Sequence, residues 1–128
     1  MRPRQRVSSG GRWEPVVGYS RAVRVGDVAW VSGCTAAGPD GAVVGRGDAY
    51  AQTVQAIHTI AEALGRLGLS LDHVVKTGVY LADMGEWEAV ARAHREAFGA
   101  VRPACTWVEC GTMIHPDMLV EIDAIAVN

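Results

Sequence analysis

The segment Met118–Val127 constrains the fold more than any other part of the chain. Read as a strand, it places Val120, Ile122, Ala124 and Ala126 on one side and Leu119, Glu121, Asp123, Ile125 and Val127 on the other. The first set is a clean apolar face, suited to lie under helices. The second mixes two carboxylates with aliphatic side chains and is neither a normal solvent face nor a normal core face. A chain ending this way must build a sheet with one covered side and one side that seeks a partner. Glu121, alternating with buried residues, is then a partly desolvated carboxylate with a raised pKa, fit to act as a base. A carboxylate tied up in a salt bridge or by backbone amides is the competing reading.

The rest of the 128-residue chain supplies the cover. Residues 1–12 are polar and rich in Arg and Gly, which predicts a mobile arm ahead of a single domain over 13–128. Ala22–Val25 and Val28–Val31 flank Gly26-Asp27, the signature of a hairpin with a II′ turn. Pro39-Asp40-Gly41 marks a second turn. Asp48 is placed to cap a helix whose Tyr50, Thr53, Val54, Ile57, Ile60, Ala61, Leu64 and Leu67 recur with helical period up to Gly68. His73–Leu81 reads as a strand. Asp83 and Glu86 then open a second helix with Trp87, Val90, Ala91, His94 and Phe98 inward, stopped by Gly99. Cys105–Cys110 is a strand after Pro103, with Cys105, Trp107 and Glu109 on one face. The order ββαβαββ predicts an α+β fold: one mixed sheet with two helices on one face. The uncovered face should carry Val75 or Val74 neighbours, Trp107, Leu119, Ile125 and Val127. That much apolar surface calls for a closed oligomer.

Charge and cysteine usage remove several classes of function. The net charge is −2, and the densest basic stretch is Arg2, Arg4 and Arg6 at the N-terminus, so the domain has no basic face for nucleic acid. No apolar run reaches the ~20 residues of a membrane span, and the N-terminus lacks the apolar stretch of a secretion signal. Three cysteines, Cys34, Cys105 and Cys110, are too few and odd in number for a disulfide framework, which fits a cytoplasmic protein with reduced thiols. His58, His73 and His115 show no metal-ligand spacing with Cys or acidic residues, so neither a metal nor another cofactor is expected.

The chain resembles the RidA/YjgF family of enamine/imine deaminases from about Gly18 to Val127. The matching stretches are Gly18–Val23, Val31-Ser32-Gly33, Gln52-Thr53, Leu71–Thr77, Tyr80–Met84, Pro103-Ala104 and Val120–Val127. No one stretch is specific, but together in this order they are. The resemblance implies a chorismate-mutase-like fold and a homotrimer, with sheets packed into a central barrel and three clefts between subunits. It also implies a hydrolytic reaction on a small molecule. In the family, a Glu near the C-terminus positions water against an imine carbon, and an Arg directly after Pro-Ala holds the substrate carboxylate. Tyr19, Ser32, Gly33 and Glu121 fit the family's cleft. Cys105 stands where the Arg is expected, Trp107 where a small Cys is common, and Cys34 where Gln is common after Ser-Gly. His94 replaces a frequent Tyr. The chain thus resembles the branches that lack the Arg, and the usual anchor for a 2-imino acid is missing.

Two readings stand for each remaining candidate. Cys105 is a nucleophile beside His94 or His115, or a small replacement for Arg that leaves a drier pocket. His94 is a catalytic group or a core histidine with one hydrogen bond. Trp107 lines the ligand cleft or fills the barrel, and Tyr19 closes a pocket or caps the hairpin. Lys76 is better read as a surface or ion-pair residue than as a Schiff-base lysine. Three functions follow: a hydrolase or deaminase whose substrate anchor is not a carboxylate, a trimer that binds a metabolite without chemistry, and a ribonuclease or translation inhibitor. The acidic balance argues against the third.

Overall fold

The computed structural model describes residues 1–128 and shows one six-stranded sheet in the order β1-β2-β3-β6-β4-β5. The strands are β1 (Gln5–Val7), β2 (Ala22–Val25), β3 (Val28–Cys34), β4 (Val74–Leu81), β5 (Ala104–Glu109) and β6 (Val120–Val127). A short helix α1 (Trp13–Val17) precedes the longer α2 (Ala49–Arg66) and α3 (Trp87–Phe98). The predicted ββαβαββ order is present over β2–β6, and the sheet is mixed: β4 and β5 are parallel, the other pairs antiparallel.

Topology explains why both long helices share a face. β3 and β4 both run antiparallel to β6, so they run parallel to each other. The crossovers β3–α2–β4 and β4–α3–β5 therefore step in the same direction across the sheet. Crossovers of the usual right hand then lie on the same side. α2 and α3 pack on one another and cover a core of Phe98, Ile60, Leu64, Leu81, Ile122 and Val79, all essentially inaccessible. Truncating Phe98 to Ala would remove about 3–5 kcal/mol of stability.

Local sequence signals act as expected at several joints. Gly26 has φ +59° and Asp27 has a negative φ, which is the II′ arrangement. The Asp48 carboxylate accepts the Ala51 N–H at 3.0 Å and caps α2. Gly68, at φ +75°, closes its far end, while Leu69 N–H bonds to the Leu64 carbonyl. The buried Gln52 side chain donates to the carbonyls of Gly45 and Asp117 and accepts from Leu119 N–H. These three bonds pin the loop before β6 against α2.

Three expectations are corrected, one alternative is resolved and one helix end is met. Part of the N-terminal arm is a strand: Gln5–Val7 pair with β2, and Val7 is buried, because the open edge of β2 offers unpaired backbone groups. Val54 points outward from α2, since the stripe that meets the sheet is Thr53, Ile57, Ile60 and Leu64. Of the two valines offered for the uncovered face, Val75 is the exposed one: it is the extra residue of a β-bulge between Val74 and Lys76, and Val74 is buried. Trp107 and Leu119 pack against the helix-side core rather than on the open face. α3 ends at Phe98, directly before the expected stop at Gly99. Gly99 keeps helical φ, and Arg102 takes φ +54° just before Pro103. The open face instead presents Trp30, Lys76, Tyr80, Val108, Asp123 and Ile125 around a shallow concavity of about 410 Å³.

Candidate functional site

A second β-bulge builds the candidate site. The register between β3 and β6 shifts between Val31 and Cys34, so β3 carries one residue more than β6 across Ser32-Gly33. Bulges of this kind re-aim side chains next to functional sites. Here the Glu121 carboxyl lies directly over Gly33. A Cβ at position 33 would stand 2.7 Å from both Cδ and Oε1 of Glu121, closer than side chains tolerate. A side chain at position 33 would therefore push the Glu121 carboxyl aside, so glycine is favoured by this close approach rather than by backbone freedom.

Glu121 is half-buried, and burial raises its pKa; the neighbouring Asp123 adds to the rise and Arg21 opposes it. A carboxylate with raised proton affinity at a cavity wall is suited to accept a proton from water and return it. The cavity, about 610 Å³, is bounded by Tyr19, Arg21, Gly33, Cys110, Met113 and Glu121 among others. Asp123 is itself held by Tyr80, whose hydroxyl donates to Oδ2 at 2.9 Å and whose pKa that bond raises.

Arg21, quoted in the family-like stretch but not singled out from sequence, organises the wall. It is 8% exposed. Its Nη1 donates to the Gly33 carbonyl at 2.6 Å and approaches Ser32 O and Cys34 Sγ, and its Nη2 donates to the Tyr19 hydroxyl at 3.2 Å. Its Nε is buried without a hydrogen bond and lies 4.0 Å from Glu14 Oε2. Glu14, buried in α1, accepts from Ser9 Oγ at 2.6 Å and from the Ser9 and Gly11 amides. Burial works against its charge, but the bonds from Ser9 and Ser8 outweigh it and hold its pKa below the usual value. The one available signal was an Arg at the mouth of an apolar strand, where a charge needs partners.

Five of the sequence candidates meet here: Tyr19, Ser32, Gly33, Cys34 and Glu121 all border the cavity. The Ser32 hydroxyl donates to Ser20 O at 2.7 Å, which fixes the bulge. Cys34 is 2% exposed, and burial pushes its thiol up to about 11, against the pull of Arg21. It is a neutral floor for the cavity.

The other three candidates form a separate group. Cys105 is aligned with Thr77 in the β4–β5 pair, on the helix side, whereas Glu121 is aligned with Tyr80 on the opposite side. Trp107 Nε1–H donates to Cys105 Sγ at 2.9 Å. His94 Nε2 lies 3.0 Å from Thr77 Oγ1 and 3.9 Å from Cys105 Sγ. Burial lowers the pKa of His94, whose ring rests 4.7 Å from that of Phe98, so the imidazole is neutral at pH 7. His115, the other sequence partner for Cys105, instead bonds to Asp117 N–H. No group of three or more His, Cys, Asp or Glu side chains has the geometry to hold a metal, and no helix is long and apolar enough to cross a membrane.

Comparison with known proteins matches residues 10–128 to the family model described as endoribonuclease L-PSP. The chain belongs to this family. It is the RidA/YjgF family of the sequence resemblance. A Streptomyces coelicolor relative is 40% identical over 95% of this chain and 90% of its own length. The 3-aminoacrylate deaminase RutC of Acinetobacter baylyi is 32% identical over 97% of this chain and 98% of its own. Among solved structures, a Mycobacterium tuberculosis member of the YjgF/YER057c/UK114 family superposes with TM-score 0.89 at 42% identity, covering 98% of this chain and all of that one. Family membership, with a relative named as a deaminase, supports a deaminase-like reading of the chain. It leaves the substrate to the residues in which this chain differs.

Proposed function

We propose that the protein is a small-molecule hydrolase of the deaminase type, acting on an enamine, imine or related reactive metabolite in crevices completed by a homotrimer. The carrying observation is the Glu121 carboxyl, desolvated over Gly33 at the wall of the 610 Å³ cavity. Ionised Glu121 takes a proton from water as the water oxygen bonds to the imine carbon. That proton passes to the imine nitrogen to give a carbinolamine; Glu121 then carries the carbinolamine hydroxyl proton to the same nitrogen, which leaves as ammonia while the carbonyl forms. Tyr19 and the backbone at Gly33 hold the substrate. A 2-imino acid is disfavoured: Cys105 supplies no cation, and both terminal nitrogens of Arg21 are engaged by Gly33 O and Tyr19. The relative named as a 3-aminoacrylate deaminase supports the reaction class.

The open sheet face supports the trimer: Trp30 and Val108 there are large, apolar and nearly half exposed. Glu121 and Cys105 look out from opposite sides of the sheet, so a crevice lined by both needs residues from two copies. Light scattering should return a trimer mass, and Ile125→Asp should shift it to smaller species. A monomeric native protein at micromolar concentration removes the trimer from the proposal.

Turnover of a panel of freshly generated enamines and imines tests the chemistry. Glu121→Gln should lower it by about 10²–10⁴-fold with the fold unchanged. Unaltered turnover rejects Glu121 as the base. The exchange of the family's Arg for Cys105 favours one further reading, a trimer that binds a metabolite without turning it over. Ligand affinity retained with no product over long incubation would select it.

A further inference from the structure

The Glu121 cavity holds a cation that the hydrolysis above does not use. Three arginines border the cavity: Arg12, Arg21 and Arg66. Arg21 gives its terminal nitrogens to the Gly33 carbonyl and the Tyr19 hydroxyl, and Arg66 donates from Nη1 to the Ser8 carbonyl at 2.6 Å. Arg12 is different. The ion pairs of the chain are Arg21–Glu14, Arg46–Asp117 and His115–Asp117, and Arg12 takes part in none of them. Its guanidinium carbon lies 4.6 Å from the centre of the Trp13 ring. The planar fork therefore rests on an aromatic face while its N–H groups stay uncommitted.

The turn Pro39-Asp40-Gly41 backs this arginine. Gly41 has φ +84°, and a Cβ there would stand 2.9 Å from Cδ of Arg12. Glycine is favoured on both counts. The neighbouring Asp40 carboxylate accepts from the Ala42 amide at 3.0 Å and makes no ion pair with Arg12. The acids on the cavity wall, Glu62 and Glu121, make none with it either. A guanidinium cation without an internal counter-ion thus faces a ligand-sized space.

The rest of the wall says what kind of ligand fits. Trp13, Val17, Met113 and Ile114 give it apolar surface. Val17 and Ile114 are 68% and 60% exposed, an amount of bare aliphatic surface that a ligand could cover. At about 610 Å³ the cavity lies in the range that takes drug-sized ligands. Arg12 is set by α1 and the turn at Gly41, whereas Glu121 is set over the bulge at Gly33, so cation and base belong to separate walls.

We propose that Arg12 is the specificity-determining residue of this cavity, pairing in bidentate fashion with a carboxylate that an apolar chain separates from the reacting carbon. The substrate class is then the imine or enamine of an oxo acid whose carbonyl is remote from its carboxylate. A 2-imino acid carries its carboxylate on the reacting carbon itself and does not meet this spacing. The chemistry in this statement rests on the Glu121 reading; the binding rests on Arg12.

The stable ketones that such a reaction would release are the probes: 6-oxoheptanoate, its methyl ester, and pyruvate. Calorimetry on the full chain at pH 7 gives their affinities. The long oxo acid should bind at least ~10-fold more tightly than the ester or pyruvate, the scale of one charge-assisted pair. Arg12→Met should remove that preference, and Arg12→Lys should restore only part of it, because an ammonium lacks the fork. Arg12 is exposed, so neither change disturbs the core. With the corresponding imine, generated by an amine oxidase in the assay, the loss in Arg12→Met should fall on KM rather than kcat. Selective binding of the long acid without turnover of any imine removes the hydrolase and keeps the Arg12 anchor. Turnover with equal affinity for acid, ester and pyruvate keeps the hydrolase and overturns the anchor. So does a preference for the long acid that survives in Arg12→Met, or no binding of it at millimolar concentration.

Discussion

Glu121 and Cys105 sit two strands apart in the same sheet, yet their surroundings are built on different principles. Glu121 lies against backbone. Its carboxyl occupies the space a side chain at Gly33 would take, and the bulge beneath it is fixed by Arg21, Ser32 and the segment that carries Glu14. Cys105 is held by side chains alone, on an edge strand, through single contacts to Trp107 and His94. A site built from backbone shape is rigid and fails abruptly. A site built from edge side chains is adjustable and fails by degrees.

The sharpest way to break the comparison is at Gly33. Gly33→Ala should displace the Glu121 carboxyl and cut turnover by about 10²-fold, since small misplacements of a catalytic group are costly. It should also destabilise the fold by about 1–3 kcal/mol, read by denaturant titration. Normal kinetics in that variant would mean that the carboxyl is not positioned by the close approach.

Arg21→Met comes next. It strips the donors from the Gly33 carbonyl and the Tyr19 hydroxyl, a loss of about 1–3 kcal/mol. It also removes the charge that holds the Glu121 pKa down against burial and Asp123. The sign is fixed: with Arg21 gone the pKa of Glu121 rises further, the base ionises at higher pH, and the acid limb of the kcat/KM profile moves up. Asp123→Asn should move the same limb down. Profiles that fail to move in opposite directions would separate Arg21 and Asp123 from the base.

The smallest effect is expected on the edge. His94→Gln should cost no more than about 0.5–1.5 kcal/mol, the worth of its bond to Thr77. It should leave the pH profile governed by Glu121 in place. A large loss of stability would show that His94 supports the core through Phe98 as well as through Thr77.

Much of this was legible in the chain itself. The alternation of Val120–Val127, the cap at Asp48, the II′ turn at Gly26-Asp27 and the order of the family-like stretches are local, and local rules read them. Glu121 and Gly33 were both picked out, but their contact was not, because it depends on a bulge that adds one residue to β3 opposite β6. Arg21 escaped notice as a site residue because its partners, Gly33 O, Cys34 Sγ, Tyr19 Oη and Glu14, come from separate segments.

Trp107 marks the boundary between the two kinds of knowledge. Period-two alternation groups Cys105 with Trp107 and Glu109, and that grouping is a property of the sequence. Which side of the sheet the group occupies is decided by pairing: Thr77 beside Cys105 faces the helices, so Trp107 does too. The sequence by itself determined the elements, their caps and the two-faced final strand, since each rests on interactions within a few residues. Only the tertiary structure decided that Glu121 and Cys105 look out from opposite sides, because strand register and neighbour choice are set by the packing of the whole chain.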